Sequence, residues 1–119
     1  MATLATAARN AAADAVAALL DGGDIQFQTA ANGEVATCDF AATAFGAANT
    51  GVATAATISD DTSAAGGTVD HAVLRSSAAA PIITATCAVG SGDFNMTSLV
   101  IGAGDTVSVS SLTLTQPAS

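Results

Sequence analysis

His71 is the only histidine in the chain, so any proton shuttle of the Ser-His-Asp kind has to pass through it. Asp70 beside it would point to the opposite face of a strand, and no Gly-x-Ser-x-Gly elbow presents a serine. A structural or surface histidine is the expectation. Cys38 and Cys87 are the two thiols. With one histidine they cannot build the usual CxxC-type zinc site. Two small buried hydrophobes is the favoured reading, with an intrachain disulfide, an intermolecular link or metal ligation as alternatives. Asp60-Asp61, Asp93 and Asp105 could converge and hold calcium, but their spacing matches no helix-loop-helix site. Solvated loop acids is the plainer reading. Asn95-Met96-Thr97 has the form of a glycosylation acceptor, which matters only in a secreted chain. There is no lysine, which removes a phosphate-binding P-loop and Schiff-base chemistry. The expectation is a chain with no catalytic residue, no metal and no cofactor.

The charge balance narrows the partners. Ten acids against Arg9 and Arg75 give a formal net charge of −8. A phosphate backbone is held by clustered Lys and Arg that displace counterions, so no nucleic-acid partner is expected. An anionic membrane surface is disfavoured for the same reason, and no apolar run approaches the roughly 18 residues that span a bilayer. The start of the chain does not read as a secretory signal, so synthesis in a reducing cytoplasm with free thiols is expected.

The elements that must position these residues follow from periodicity. Leu4 to Leu20 reads as a helix because Ala dominates it and Leu4, Ala8, Ala11, Ala15 and Leu19 recur at helical spacing. Thr3 is the expected N-cap and Asp21-Gly22-Gly23 the stop. Packing of that stripe on its own domain is expected; the alternative is an arm docked on a neighbouring subunit. Beyond Gly23, β-like runs alternate with Gly, Asn, Asp and Ser. They are Asp24 to Thr29, Glu34 to Phe40, Val52 to Ile58, Val69 to Arg75, Pro81 to Val89, Met96 to Ile101 and Thr106 to Thr115. Segments 59–67 and 102–105 read as loops. About seven strands suffice for two packed antiparallel sheets. The predicted fold is thus all-β with one N-terminal α-helix: residues 1–23 helical, residues 24–119 an antiparallel β-sandwich, with a jelly roll as one form of it, in a single domain.

The last run, TVSVSSLTLT, breaks its alternation at Ser110-Ser111. Val107 and Val109 share one parity, Leu112 and Leu114 the other. A bulge or sharp bend at Ser110 and Ser111 would turn both pairs inward; the rival is a strand apolar on both faces.

Three stretches carry a resemblance: the helix with Arg9, Asn10, Asp14, Leu19, Asp21 and Gly23; the middle segment from Phe40 through Phe45-Gly46 and Asn49 to Gly51-Val52; and the ending Gly90-Ser91-Gly92-Asp93-Phe94-Asn95…Ile101-Gly102…Val107-Ser108…Ser111…Thr115. Together they resemble a family of small phage and prophage structural proteins. The family commonly has an aromatic-rich strand where this chain has residues 24–28, and a Trp-Phe-Arg-like strand where it has residues 71–75.

The resemblance implies a virion component that decorates or cements the capsid surface. It would be made in the host bacterial cytoplasm, have the major capsid protein as partner and act as a homo-oligomer, a dimer or trimer. A neck or tail accessory protein, or a receptor- or carbohydrate-binding module, is the alternative; a calcium-assisted hydrolase would need His71 and the acids to converge. Interfaces concentrate aromatics and Arg, so candidate partner contacts are Arg9, Phe27, Phe45, Arg75 and Phe94, with Phe40 beside them, unless the rings are core.

Overall fold

A computed structural model describes residues 3–90 and 92–116. The chain is mostly β with one N-terminal helix, α1 (Thr6–Leu19). Five strands form the main sheet: β1 (Asp24–Gln28), β2 (Glu34–Asp39), β5 (His71–Arg75), β6 (Pro81–Val89) and β7 (Phe94–Met96), in the order β2-β1-β5-β6-β7. Two small sheets flank it. One joins β3 (Val52–Thr54) to β9 (Thr113–Thr115), the other β4 (Gly67–Thr68) to β8 (Val100–Ile101).

The expectation that every strand pair is antiparallel is corrected here. The main sheet is a curled, mixed half-barrel, because β7 runs parallel to β6 while every other pair is antiparallel. A parallel neighbour ordinarily needs a long crossover. Here the return from Val89 to Phe94 is short, and the Asp93 carboxylate fastens it by accepting the Thr86 N–H (3.0 Å) while the Asp93 N–H donates to Thr86 Oγ1 (2.9 Å).

Period-two patterning builds the inward face. Ala36, Phe27, Ala72 and Ala85 form one row across four strands, and Cys38, Ile25, Leu74 and Ile83 form the next. All of these are buried except Ile83, which is partly so. Against the rows pack Ala17 and Leu20 from the helix, Phe40, Ala44, Phe45, Ala53 and Ile58 from the middle segment, and Val107. Small residues let the sheet curl tightly around few large side chains.

Register breaks occur at Val35 and Ile82. Phe27 pairs Ala36 while Gln28 pairs Glu34, so Val35 is an extra residue, and both Val35 and Ala36 are buried. Leu74 pairs Ile83 while Arg75 pairs Pro81, which leaves Ile82 unpaired beside a proline that has no N–H to give.

The helix departs from its predicted orientation. It begins at Thr6 after Ala5, with no side-chain cap, so Thr3 does not cap it. Its buried residues are Ala13 and Ala17, whereas Leu4, Ala8, Ala11, Ala15 and Leu19 are exposed. In an alanine helix the two faces differ little in transfer free energy, so hydrogen bonds from its polar side chains set the rotation.

Candidate functional site

Those bonds tie the first and second resemblance-bearing stretches together. Arg9 donates from Nε to the Gln116 carbonyl (3.1 Å) and from Nη2 to the Thr50 carbonyl (2.9 Å). Asn10 Oδ1 accepts the Gly51 N–H, Asp14 Oδ1 the Ala48 N–H and Asp21 Oδ1 the Ala44 N–H, each at 2.8 Å. Asn10 and Asp14, four residues apart, share one helical face, and Asp21 follows in the turn after the helix. The middle segment has little ladder of its own, and these acceptors supply partners for its amides. Gly51 is required where it stands: a Cβ there would come 2.9 Å from the Arg9 guanidinium and 2.7 Å from the Gln116 oxygen.

The second arginine is also engaged. Arg75 and Asp24 are cross-strand neighbours, and their side chains form a two-point pair, Nε to Oδ1 at 2.7 Å and Nη2 to Oδ2 at 2.8 Å. The Asp24 bond holds the Arg75 guanidinium pKa above its ordinary value, against an opposing effect of burial. Phe27, Phe40, Phe45 and Phe94 are all buried in the core. Phe27 meets Phe94 edge-on with ring centroids 5.5 Å apart, and Phe40 meets Phe45 at 5.7 Å. The candidate contact residues therefore point inward or bond their own chain. The large apolar side chains left exposed among the described residues are Leu4, Leu19, Val89 and Val100.

His71 lies on an outward row between Gln28 and Thr86. Its Nδ1 is 2.9 Å from Asp70 Oδ2, so Asp70 does not turn away as a regular strand would require; Nε2 is 2.9 Å from Gln28 Oε1. Both ring nitrogens are thus occupied, one by a carboxylate and the other by an amide oxygen. The loop acids are not gathered. Asp61 accepts the Thr37 and Ser63 N–H groups, Asp93 serves the β6–β7 return, and Asp105 accepts the Gly102 N–H. Among the described residues no group of three or more His, Cys, Asp or Glu side chains could hold a metal ion.

Cys38 and Cys87 are free and buried, with β1 and β5 between their strands. The Cys38 thiol donates to the Val107 carbonyl at 3.4 Å. Burial pushes both thiols up from 9.0 to about 11, with nearby carboxylates adding to the rise. Because the folded thiol ionises later than the unfolded one, its stabilising contribution is complete below pH 9.0 and is lost as pH rises to about 11. A rise of that size corresponds to about 3 kcal/mol per thiol as an upper bound. Urea unfolding is expected to show stability falling across that window, and the C38A/C87A variant a flatter profile.

Ser110 and Ser111 are both exposed and lie outside every ladder, while Val107 is buried and Val109, Leu112 and Leu114 are partly buried. The change of parity therefore falls within residues 108–112, which no ladder holds. The extra residue lies on the opposite arm, since seven steps separate Thr54 from Asp61 and six separate their partners Thr113 and Val107.

A groove of about 690 Å³ lies between β7 with the residues after it and the segment 106–113. Its buried lining is Phe27, Phe94 and Val107; its exposed lining is largely hydroxyl, including Thr97, Ser98, Ser108 and Ser110. Sequence reasoning missed this feature because it treats β7 and β8 as one continuous strand and residues 106–115 as another. No family model, no curated protein and no solved structure matches the chain.

Proposed function

We propose that this chain is a phage virion structural protein. It decorates the outer shell as a dimer or trimer, bridges joints between major capsid subunits, and does no catalysis. In this reading the curled sheet and the two short sheets act as the faces of one sandwich-like body. The observation that carries it is the use of the polar residues. Asp14, Asp21, Asp61, Asp93 and Asp105 each accept a main-chain N–H, and both arginines bond within the chain. Charge is spent on fastening loops to a β platform, which suits a component that gains strength from many copies on a rigid lattice. A neck or tail position would use the same properties. Glycan binding would call for exposed aromatic faces, and all four Phe are buried in a chain without Trp or Tyr.

The test is to prepare particles of the encoding phage with and without the chain. Restoring the purified protein is expected to raise the temperature of shell disruption and to add density at symmetric sites on the shell surface. Unchanged disruption temperature with no added shell density overturns the proposal, and density confined to the neck or tail moves the chain there.

A further inference from the structure

The two edges of the main sheet are finished differently. At β2 the outer edge is covered: Gly66 N–H donates to the Val35 carbonyl (3.1 Å), Asp61 Oδ2 accepts the Thr37 N–H (2.8 Å), and Ser59 N–H donates to the Asp39 carbonyl (2.9 Å). At β7 nothing comparable occurs. Beyond its ladder with β6, no hydrogen bond engages Asn95 or Met96 among the described residues. Across the groove the main-chain groups of Ser108, Val109, Ser110 and Ser111 also make no hydrogen bond among the described residues. An open edge opposite a segment whose main-chain groups are unpaired, above an apolar floor, is the geometry that accepts an added strand.

We propose that this groove binds an extended segment of a partner protein by strand addition. The occupant places apolar side chains at alternate positions onto Phe27, Phe94 and Val107 and carries Lys or Arg. Charge decides the second point: among the described residues the only ionisable side chain lining the groove is Asp93, the chain bears −8, and both of its arginines are bonded elsewhere in it. A second copy would bring the same negative charge and no lysine, so the occupant is a different chain. The inference stands whether or not that partner belongs to a capsid.

The test pans a library of short randomised peptides against the full chain and titrates the enriched peptides into isotope-labelled protein. Enriched peptides are expected to alternate apolar and polar residues with an excess of Lys and Arg. Amide shifts should concentrate on residues 94–98 and 106–113. Ser110→Pro deletes an unpaired N–H and should weaken binding by about tenfold or more. Should that variant misfold, Ser110→Lys is expected to weaken binding and Ser110→Asp to strengthen it. The proposal is overturned by a library without binders, by shifts elsewhere on the surface, by peptides lacking alternation or positive charge, or by natively folded Ser110→Pro, or Ser110→Lys and Ser110→Asp, binding as the parent does. It is overturned equally if raising the protein's own concentration, without peptide, produces the same shifts, since the occupant is then a second copy.

Discussion

Replacing Gly23 with alanine is expected to cost about 3 kcal/mol or more of folding free energy, near the upper end for overpacking. The reason is contact with main chain. A Cβ at Gly23 would lie 1.8 Å from the Arg75 carbonyl oxygen and 2.9 Å from the Arg75 and Ser76 carbonyl carbons. Neither side can yield cheaply. Gly23 donates its N–H to Leu20 and accepts that of Phe40, while Arg75 is held in the β1–β5 ladder and by Asp24. Gly104 is the comparison: it has a φ of +86°, but a Cβ added there would meet no atom within 4 Å. Gly104→Ala should therefore cost only conformational strain, about 1–2 kcal/mol. Urea midpoints with unchanged slope would verify the order; equal losses at the two sites would refute the steric argument.

The second large effect is expected at Phe27→Ala, with a loss of about 3–5 kcal/mol. Phe27 is 2% exposed, lies in β1 and packs edge-on against Phe94. Removing the ring empties the space below the β6–β7 edge and leaves Phe94 without its partner. A double-mutant cycle with Phe94→Leu should return a coupling of about 0.5–1.5 kcal/mol for the ring pair. Calorimetry on the isolated chain is the decisive measurement, because a ring that served only a partner surface could be truncated at little cost in stability.

These two sites show how unevenly the fold could be read. The β6 span, Pro81–Val89, coincides with its predicted run, and the helix ends ahead of Asp21-Gly22-Gly23 as expected. Both signals are local, so local reasoning reaches them. The sheet formed by β4 and β8 was hidden because Gly67 lies in a stretch that reads as a loop, and its pairing with Ile101 is visible only once the chain is folded. The Asp24–Arg75 pair joins residues 51 positions apart, and no spacing rule connects them. The groove was hidden for the same reason: it arises where residues 97–99 and 108–112, inside stretches predicted as strands, lie outside every ladder.

Periodicity along the sequence was enough to expect a mostly β body with one helix, and the same alternation places Ile25 and Phe27 of β1 and Ala85 and Cys87 of β6 in the core, while Val89, of the same parity, is exposed at the strand end. Those outcomes depend on backbone geometry and transfer free energy within a few neighbouring residues. Only the tertiary structure decided which face of the alanine helix is buried, where the register breaks, and that β7 lies parallel to β6 with its other edge unpaired among the described residues. The helix rotation was settled by hydrogen bonds between distant segments, and an alanine-rich sequence has too little hydrophobic contrast to announce such pairings in advance.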